Sequence, residues 1–173
     1  GAVPVLVVLF EIPLLNETYG QIMIQSNASF NYIFLWVAGF GFFAFLTTLI
    51  REIIKDAEDF EGDQAYGMNT LPIAIGTRVT RYIIAALILI LISALLFVLL
   101  KFIFTSGPST DFISGAYFLF MLIIPSLVLF FNILFARTKR DFHYASQWTK
   151  FIMLAGILYS LIVRYIVLHQ LNA

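Results

Sequence analysis

The sequence predicts an all-α, polytopic transmembrane helical bundle, and three observations predict it. Of 173 residues, 61% are hydrophobic and 12% charged, with a mean hydropathy of +0.97; soluble domains run about 45–50% apolar and about 25% charged. Apolar runs recur at the ~20-residue length that crosses a ~30 Å hydrocarbon core. The runs are continuous rather than alternating, which selects helices over barrel strands.

The elements follow in order. The first apolar stretch, 1–15, opens on Gly1-Ala2-Val3-Pro4 with no initiator Met and no basic flank. That is not the pattern of a signal peptide. It reads as a cut through an existing membrane helix, so the sequence is expected to be a piece of a longer protein. Complete spans are predicted at 28–50, 82–103, 113–136 and 149–169. No charge falls between Tyr82 and Leu100 or between Phe112 and Ala136, whereas Arg164 interrupts the last span and is expected to snorkel or face the protein interior. Pro108 and its Ser, Gly and Thr neighbours mark an outer turn. Pro125 is expected to kink its span, with neighbouring helices satisfying the freed carbonyl. Asn31 and Asn132, inside spans, suit interhelical hydrogen bonds. The 19 Phe are expected to face lipid or pack.

Basic residues give orientation. Residues 51–82 hold Arg51, Lys55, Arg78 and Arg81, and residues 137–150 hold Arg137, Lys139, Arg140 and Lys150, together eight of the ten cations. The loop 11–27 has none and 101–112 only Lys101. This alternation follows the positive-inside rule, so the two basic loops are expected in the cytoplasm and the C-terminus outside. Asn16-Glu17-Thr18 has the form of a glycosylation triplet on the outer side, a pattern common by chance. Zero net charge points to no nucleic-acid or anionic-membrane partner, although the distribution of charge matters more than the sum. The absence of cysteine excludes disulfides and thiolate metal sites.

Six acids (Glu52, Asp56, Glu58, Asp59, Glu61 and Asp63) stand within twelve positions, while the other 161 residues hold four. If the preceding helix continues past Arg51, the spacings 4, 3 and 4 put Glu52, Asp56, Asp59 and Asp63 on one face, with Arg51, Lys55 and Glu58 in a neighbouring stripe. Gly62, then Gly67 and Pro72, are expected to end or bend the helix. Like charges at i, i+4 repel by a few tenths of a kcal/mol, and acids at a helix C-terminus oppose its dipole. A divalent cation held by carboxylates, particularly Mg²⁺ shared with substrate phosphates, would offset both. His143 and His169 lie far from the cluster, which argues against a soft-metal site. Asp141 and His143 read as solvated loop.

The segment Asp59-x-x-x-Asp63-x-x-x-Gly67-x-x-Thr70-Leu71-Pro72 resembles the second aspartate-rich motif of the UbiA superfamily of intramembrane prenyltransferases. Its longer form, Arg51-Glu52-Ile53-Ile54-Lys55-Asp56-x-Glu58-Asp59-x-Glu61-Gly62-Asp63, is similar to the digeranylgeranylglyceryl phosphate synthase-like branch. The resemblance implies that residues 1–173 are the C-terminal part of one membrane-embedded domain, roughly helices five to nine of nine around a central cavity. The first aspartate-rich motif, between the second and third helices of the family, is absent from this sequence, so the chain alone is expected to be inactive. The implied reaction moves an isoprenoid from a polyprenyl diphosphate to a lipid-phosphate or aromatic acceptor, with Mg²⁺ and release of pyrophosphate.

By the same resemblance Asp59 and Asp63 hold Mg²⁺–diphosphate, and Asp56 is a third carboxylate that ligates or orients the acceptor. Lys55 and Arg51 contact phosphate or serve only as juxtamembrane positive charges. Asn69 and Thr70 line a cap over the site, or Thr70 is a helix N-cap. The competing reading is a cation-coupled transporter or channel fragment with the acids as a cation-binding mouth. Acids at a helix end rather than the midplane, followed by Gly-x-x-Thr-Leu-Pro, argue against it.

Overall fold

The computed structural model describes residues 30–103 and 111–171, and every regular element among them is helical. The stretch 1–15, the Asn16-Glu17-Thr18 triplet and the turn at Pro108 lie outside the described residues, as do the side chains of Asn31 and Arg164. The helices are α1 (Phe30–Glu58), α2 (Phe60–Ala65), α3 (Leu71–Ile75), α4 (Thr77–Val98), α5 (Asp111–Tyr117), α6 (Ile124–Phe135) and α7 (Lys139–Leu171). A π turn, Leu99–Ile103, extends α4, and another, Phe118–Ile123, joins α5 to α6. Four stretches are long and apolar enough to cross a membrane: Leu35–Glu58, Thr77–Lys101, Ile113–Phe135 and Lys139–Val163. The all-α polytopic expectation is met.

Two compact units divide the chain, up to Phe45 and from Leu46 onward. In the first, the described residues are the opening turns of α1, where Trp36 stacks near Phe40 with ring centroids 6.3 Å apart. Leu35, Phe42 and Phe45 are exposed, as suits a lipid-facing surface.

In the second unit α4 packs on α6, and α6 on α7. Ile84, Ile88, Leu91 and Leu95 of α4, spaced 4, 3 and 4, form one buried stripe. Leu129 and Ile133 of α6 are buried as well, and α7 buries Ala145, Thr149, Ile152 and Ala155. Small residues on α7 let backbones approach, the device that suits helix association in lipid, where packing rather than the hydrophobic effect does the joining. Hydroxyls within the packed spans bond to backbone carbonyls: buried Thr149 Oγ1 donates to Ala145 O at 2.8 Å, buried Ser126 Oγ to Leu122 O at 2.6 Å, and part-buried Tyr117 OH to Ala155 O at 2.8 Å. Pro125 is accommodated within its own span, by the π turn directly before it. Asn132 is exposed on α6 and takes no hydrogen bond among the described residues.

Two spans begin earlier than hydropathy indicates, α4 at Thr77 rather than 82 and α7 at Lys139 rather than 149. Charged side chains stop an apolar run, but they do not stop a helix. The helices begin at backbone signals instead, Gly76 with φ +85 before α4 and a capped Thr138 before α7. Arg81 Nη1 donates to Ala136 O, and His143 meets Glu58. These contacts put the end of α1, the start of α4, the end of α6 and the start of α7 together. The two basic loops therefore lie at the same end of this unit, as the charge alternation requires.

Candidate functional site

With 29 residues, α1 is about 44 Å long, well beyond the ~30 Å hydrocarbon thickness. Its final turns, which carry the acids, stand past the apolar run. The chain bends at Asp59 (φ −93, ψ 10), the bridge region of backbone space. The hydrogen-bond ladder nevertheless continues: Asp59 N–H donates to Lys55 O and Asp63 N–H to Asp59 O, both at 2.9 Å. Lys55, Asp59 and Asp63 thus stay in one column. The Asp56 carboxyl lies within electrostatic reach of Asp63, Glu52, Lys55 and Asp59. The stripe expected from spacing is assembled, and Asp56, Asp59 and Asp63 are all partly exposed along it.

Gly67 explains its own place in the motif. At the end of α2, Met68 N–H donates to Asp63 O at 2.9 Å and Gly67 N–H to Gln64 O at 3.3 Å, the paired bonds of a Schellman cap. That cap needs a left-handed residue, and Gly67 has φ +67. The glycine therefore terminates the helix whose last turns present Asp63. Gly62 does not end or bend the helix. It sits inside α2, where an added Cβ meets nothing within 4 Å, and the bend falls at Asp59 instead.

The expected phosphate and cap residues are placed as follows. Arg51 Nη1 pairs with its neighbour Glu52 at 2.8 Å, and Lys55 is exposed in the last turn of α1. Asn69 is exposed and Thr70 partly so. Thr70 occupies the N-cap position of α3 with extended backbone, and its carbonyl accepts the N–H groups of Ile73 and Ala74. Its hydroxyl makes no cap bond, and Oγ1 is buried with no partner among the described residues.

The opposite face of the acidic segment meets the second basic loop. A cavity of about 610 Å³ takes Ala57, Glu58, Phe60 and Glu61 from this segment, Thr77, Arg78 and Arg81 from α4, and residues 136–139 with Phe142 from the start of α7. Asp56, Asp59 and Asp63 are not among its walls. His143 Nδ1 lies 2.7 Å from Glu58 Oε1, whose side chain is 16% exposed, and Lys139 Nζ lies 3.7 Å from Asp59 Oδ1.

These contacts correct the reading of Asp141 and His143 as solvated loop. Asp141 closes a capping box: its Oδ2 accepts the N–H groups of Arg137 (2.9 Å) and Thr138 (2.8 Å), and its own N–H donates to Thr138 Oγ1 at 3.4 Å. Thr138-x-x-Asp141 carried that signal in the sequence. His143 carried none, because its partner lies 85 positions away. Part of the repulsion among the acids is thus relieved by Lys139 of the other basic loop. At 3.7 Å, with both groups well exposed, the Lys139–Asp59 pair contributes under about 1 kcal/mol.

Among the described residues no three carboxylate or imidazole groups converge into a metal cage. What the stripe offers is hard oxygen donors on one face with free lone pairs, the arrangement in which one or two carboxylates share the ion with substrate phosphates and water. That shared mode asks for fewer protein ligands than a cage, and the acidic face offers carboxylates from Asp56, Asp59 and Asp63.

The comparisons with known proteins agree with the motif. The chain is 37% identical over 117 residues to the digeranylgeranylglyceryl phosphate synthase of Methanosphaera stadtmanae, covering 66% of this chain and 39% of that protein. It is 34% identical over 116 residues to the synthase of the same name from Methanopyrus kandleri, again 66% and 39%. A shorter stretch of 50 residues, 29% of this chain, is 54% identical to that of Methanothermobacter thermautotrophicus, 18% of whose length it covers. The chain thus spans about two fifths or less of the length of these curated relatives. No family profile and no solved structure matches it.

Proposed function

Over 66% of its length this chain is homologous to the digeranylgeranylglyceryl phosphate synthases, UbiA-type prenyltransferases, and from that premise we propose that it forms one half of an intramembrane prenyltransferase site. The observation that carries the proposal is the single face bearing Asp56, Asp59 and Asp63 at a helix end beyond the apolar span.

The substrates are a polyprenyl diphosphate and a lipid-phosphate or aromatic acceptor, and the product is a prenylated acceptor with pyrophosphate released. Asp59 and Asp63 hold Mg²⁺, with Asp56 as a third carboxylate. When bound, Mg²⁺ supplies charge neutralisation for the departing diphosphate. The residues of this chain do the positioning. The Schellman cap at Gly67 fixes the last turn that presents Asp63. The bend at Asp59 keeps its carboxylate in the same column as Asp63. Lys55, exposed one turn before Asp59 in that column, meets phosphate as a point charge, and Asn69 and Thr70 cover the diphosphate end. The apolar helices take the isoprenoid tail. The acidic face lies on the cytoplasmic side, and residues 1–173 are the C-terminal part of the domain, the first aspartate-rich motif being supplied by sequence preceding it.

The test is pyrophosphate release from a labelled polyprenyl diphosphate by the whole protein that carries this chain, against a panel of glycerol-phosphate lipids and aromatic acceptors. Release that requires both Mg²⁺ and one acceptor class is expected. Release that is unchanged in chelator would overturn the metal assignment, and no release with any acceptor would overturn the activity.

A further inference from the structure

The cavity on the other face of the acidic segment is used by none of this chemistry. Arg78, Arg81, Arg137 and Lys139 line it, against two carboxylates, Glu58 and Glu61. Glu58 is already held by His143. Among the described residues neither Arg78 nor Arg137 has an ion pair through its side chain, and Arg81 Nε is buried without a hydrogen-bond partner although its Nη1 is anchored to Ala136 O. A buried guanidinium N–H left unpaired costs roughly 1–3 kcal/mol unless a ligand or water meets it. Ordinary positive-inside loops spread their cations into solvent. Here three arginines from two separate loops line one hollow of about 610 Å³, room enough for a phosphate-bearing headgroup, while Lys139 at its edge also reaches Asp59.

The depth of the hollow identifies the kind of anion. It lies where α4 and α7 begin and α6 ends. Tyr82, next to Arg81, and Tyr144, two residues from Phe142, are both exposed at 59%. Tyrosines at the ends of spanning helices mark the headgroup level of a bilayer, and basic pockets between helix ends at that level suit anionic head groups.

We propose that this cavity is a second phosphate site, separate from the Asp56/Asp59/Asp63 face, that binds the phosphomonoester head of an anionic lipid through Arg78, Arg81 and Arg137. Because one proposed acceptor is itself a lipid phosphate, the two sites are told apart by which pair of substitutions releases the lipid. The forked guanidinium groups match phosphate oxygens.

The experiment is native mass spectrometry of the whole protein released from detergent. Dioctanoyl phosphatidic acid is the probe, dioctanoylglycerol the uncharged control, and inorganic phosphate the competitor. Retention of phosphatidic acid but not dioctanoylglycerol is expected, with the dissociation constant raised about tenfold or more in R78Q/R137Q, since each charge-assisted bond lost is worth about a factor of ten. Competition by inorganic phosphate at equal concentration assigns the same site to free phosphate rather than lipid. D59N/D63N is expected to bind phosphatidic acid as tightly as the unmodified protein. R81Q removes a structural hydrogen bond as well, so R78Q/R137Q, both at exposed positions, decides the matter. Unchanged binding in R78Q/R137Q, or binding lost in D59N/D63N instead, would overturn the proposal.

Discussion

The two faces of the helix end at residues 52–63 bear acids alike but meet opposite surroundings. One face lines up Asp56, Asp59 and Asp63 with Lys55 in the same column, and Lys139 reaches Asp59 at 3.7 Å. The other turns Glu58 and Glu61 toward four cations and pins Glu58 to His143. On the second face the fold itself supplies a partner for Glu58, whose carboxylate meets His143. On the first, Asp56 stands within reach of Asp63, Glu52 and Asp59 as well as of Lys55, and like charges gathered in this way favour a cation from outside the chain. Local acid density alone would not separate the two faces; what packs opposite each one does.

The largest effect that would sharpen this contrast is chemical. Asp59→Asn in the whole protein is expected to lower turnover about a hundredfold or more, the scale on which charge-stabilising groups act, without moving the unfolding midpoint. A turnover loss accompanied by unfolding would place Asp59 among the structural acids instead. Next comes the cap beneath Asp63. Gly67→Val forces a β-branched residue to φ +67 and should cost about 1–2 kcal/mol, read as a lower midpoint in thermal unfolding; an unchanged midpoint would mean the Schellman cap is dispensable. Asp141→Ala opens the capping box of α7 and should cost about 1 kcal/mol, with turnover on the acidic face retained once the protein is folded. Smallest is Gly62→Ala, which fills open space inside α2 and should stabilise by about 0.5–1 kcal/mol. A loss of activity there without a loss of stability would show that the bare backbone at Gly62 is approached by substrate.

Much of this was legible because it is local. Continuous apolar runs fix helices, and spacings of 3 and 4 fix which acids share a face. The positive φ at Gly67 was foreshadowed by a glycine where a helix had to stop. What stayed hidden depends on distant partners. The early starts of α4 and α7 rest on backbone capping that hydropathy does not register. The Arg81–Ala136 and His143–Glu58 contacts join positions 55 and 85 apart, and no single-sequence periodicity reaches that far. Thr138-x-x-Asp141 was readable as a capping box but was masked by its basic neighbours, which made the segment look like solvated loop.

The central claim is that the two faces have different work, one chemical and one structural or lipid-binding. The most direct measurement compares pyrophosphate release by the whole protein in two variants of equal charge change, Asp59→Asn/Asp63→Asn and Glu58→Gln/Glu61→Gln. The account predicts that release collapses in the aspartate variant and stays within a few-fold of the unmodified protein in the glutamate variant. Full release in the aspartate variant, or equal loss in both, would contradict it.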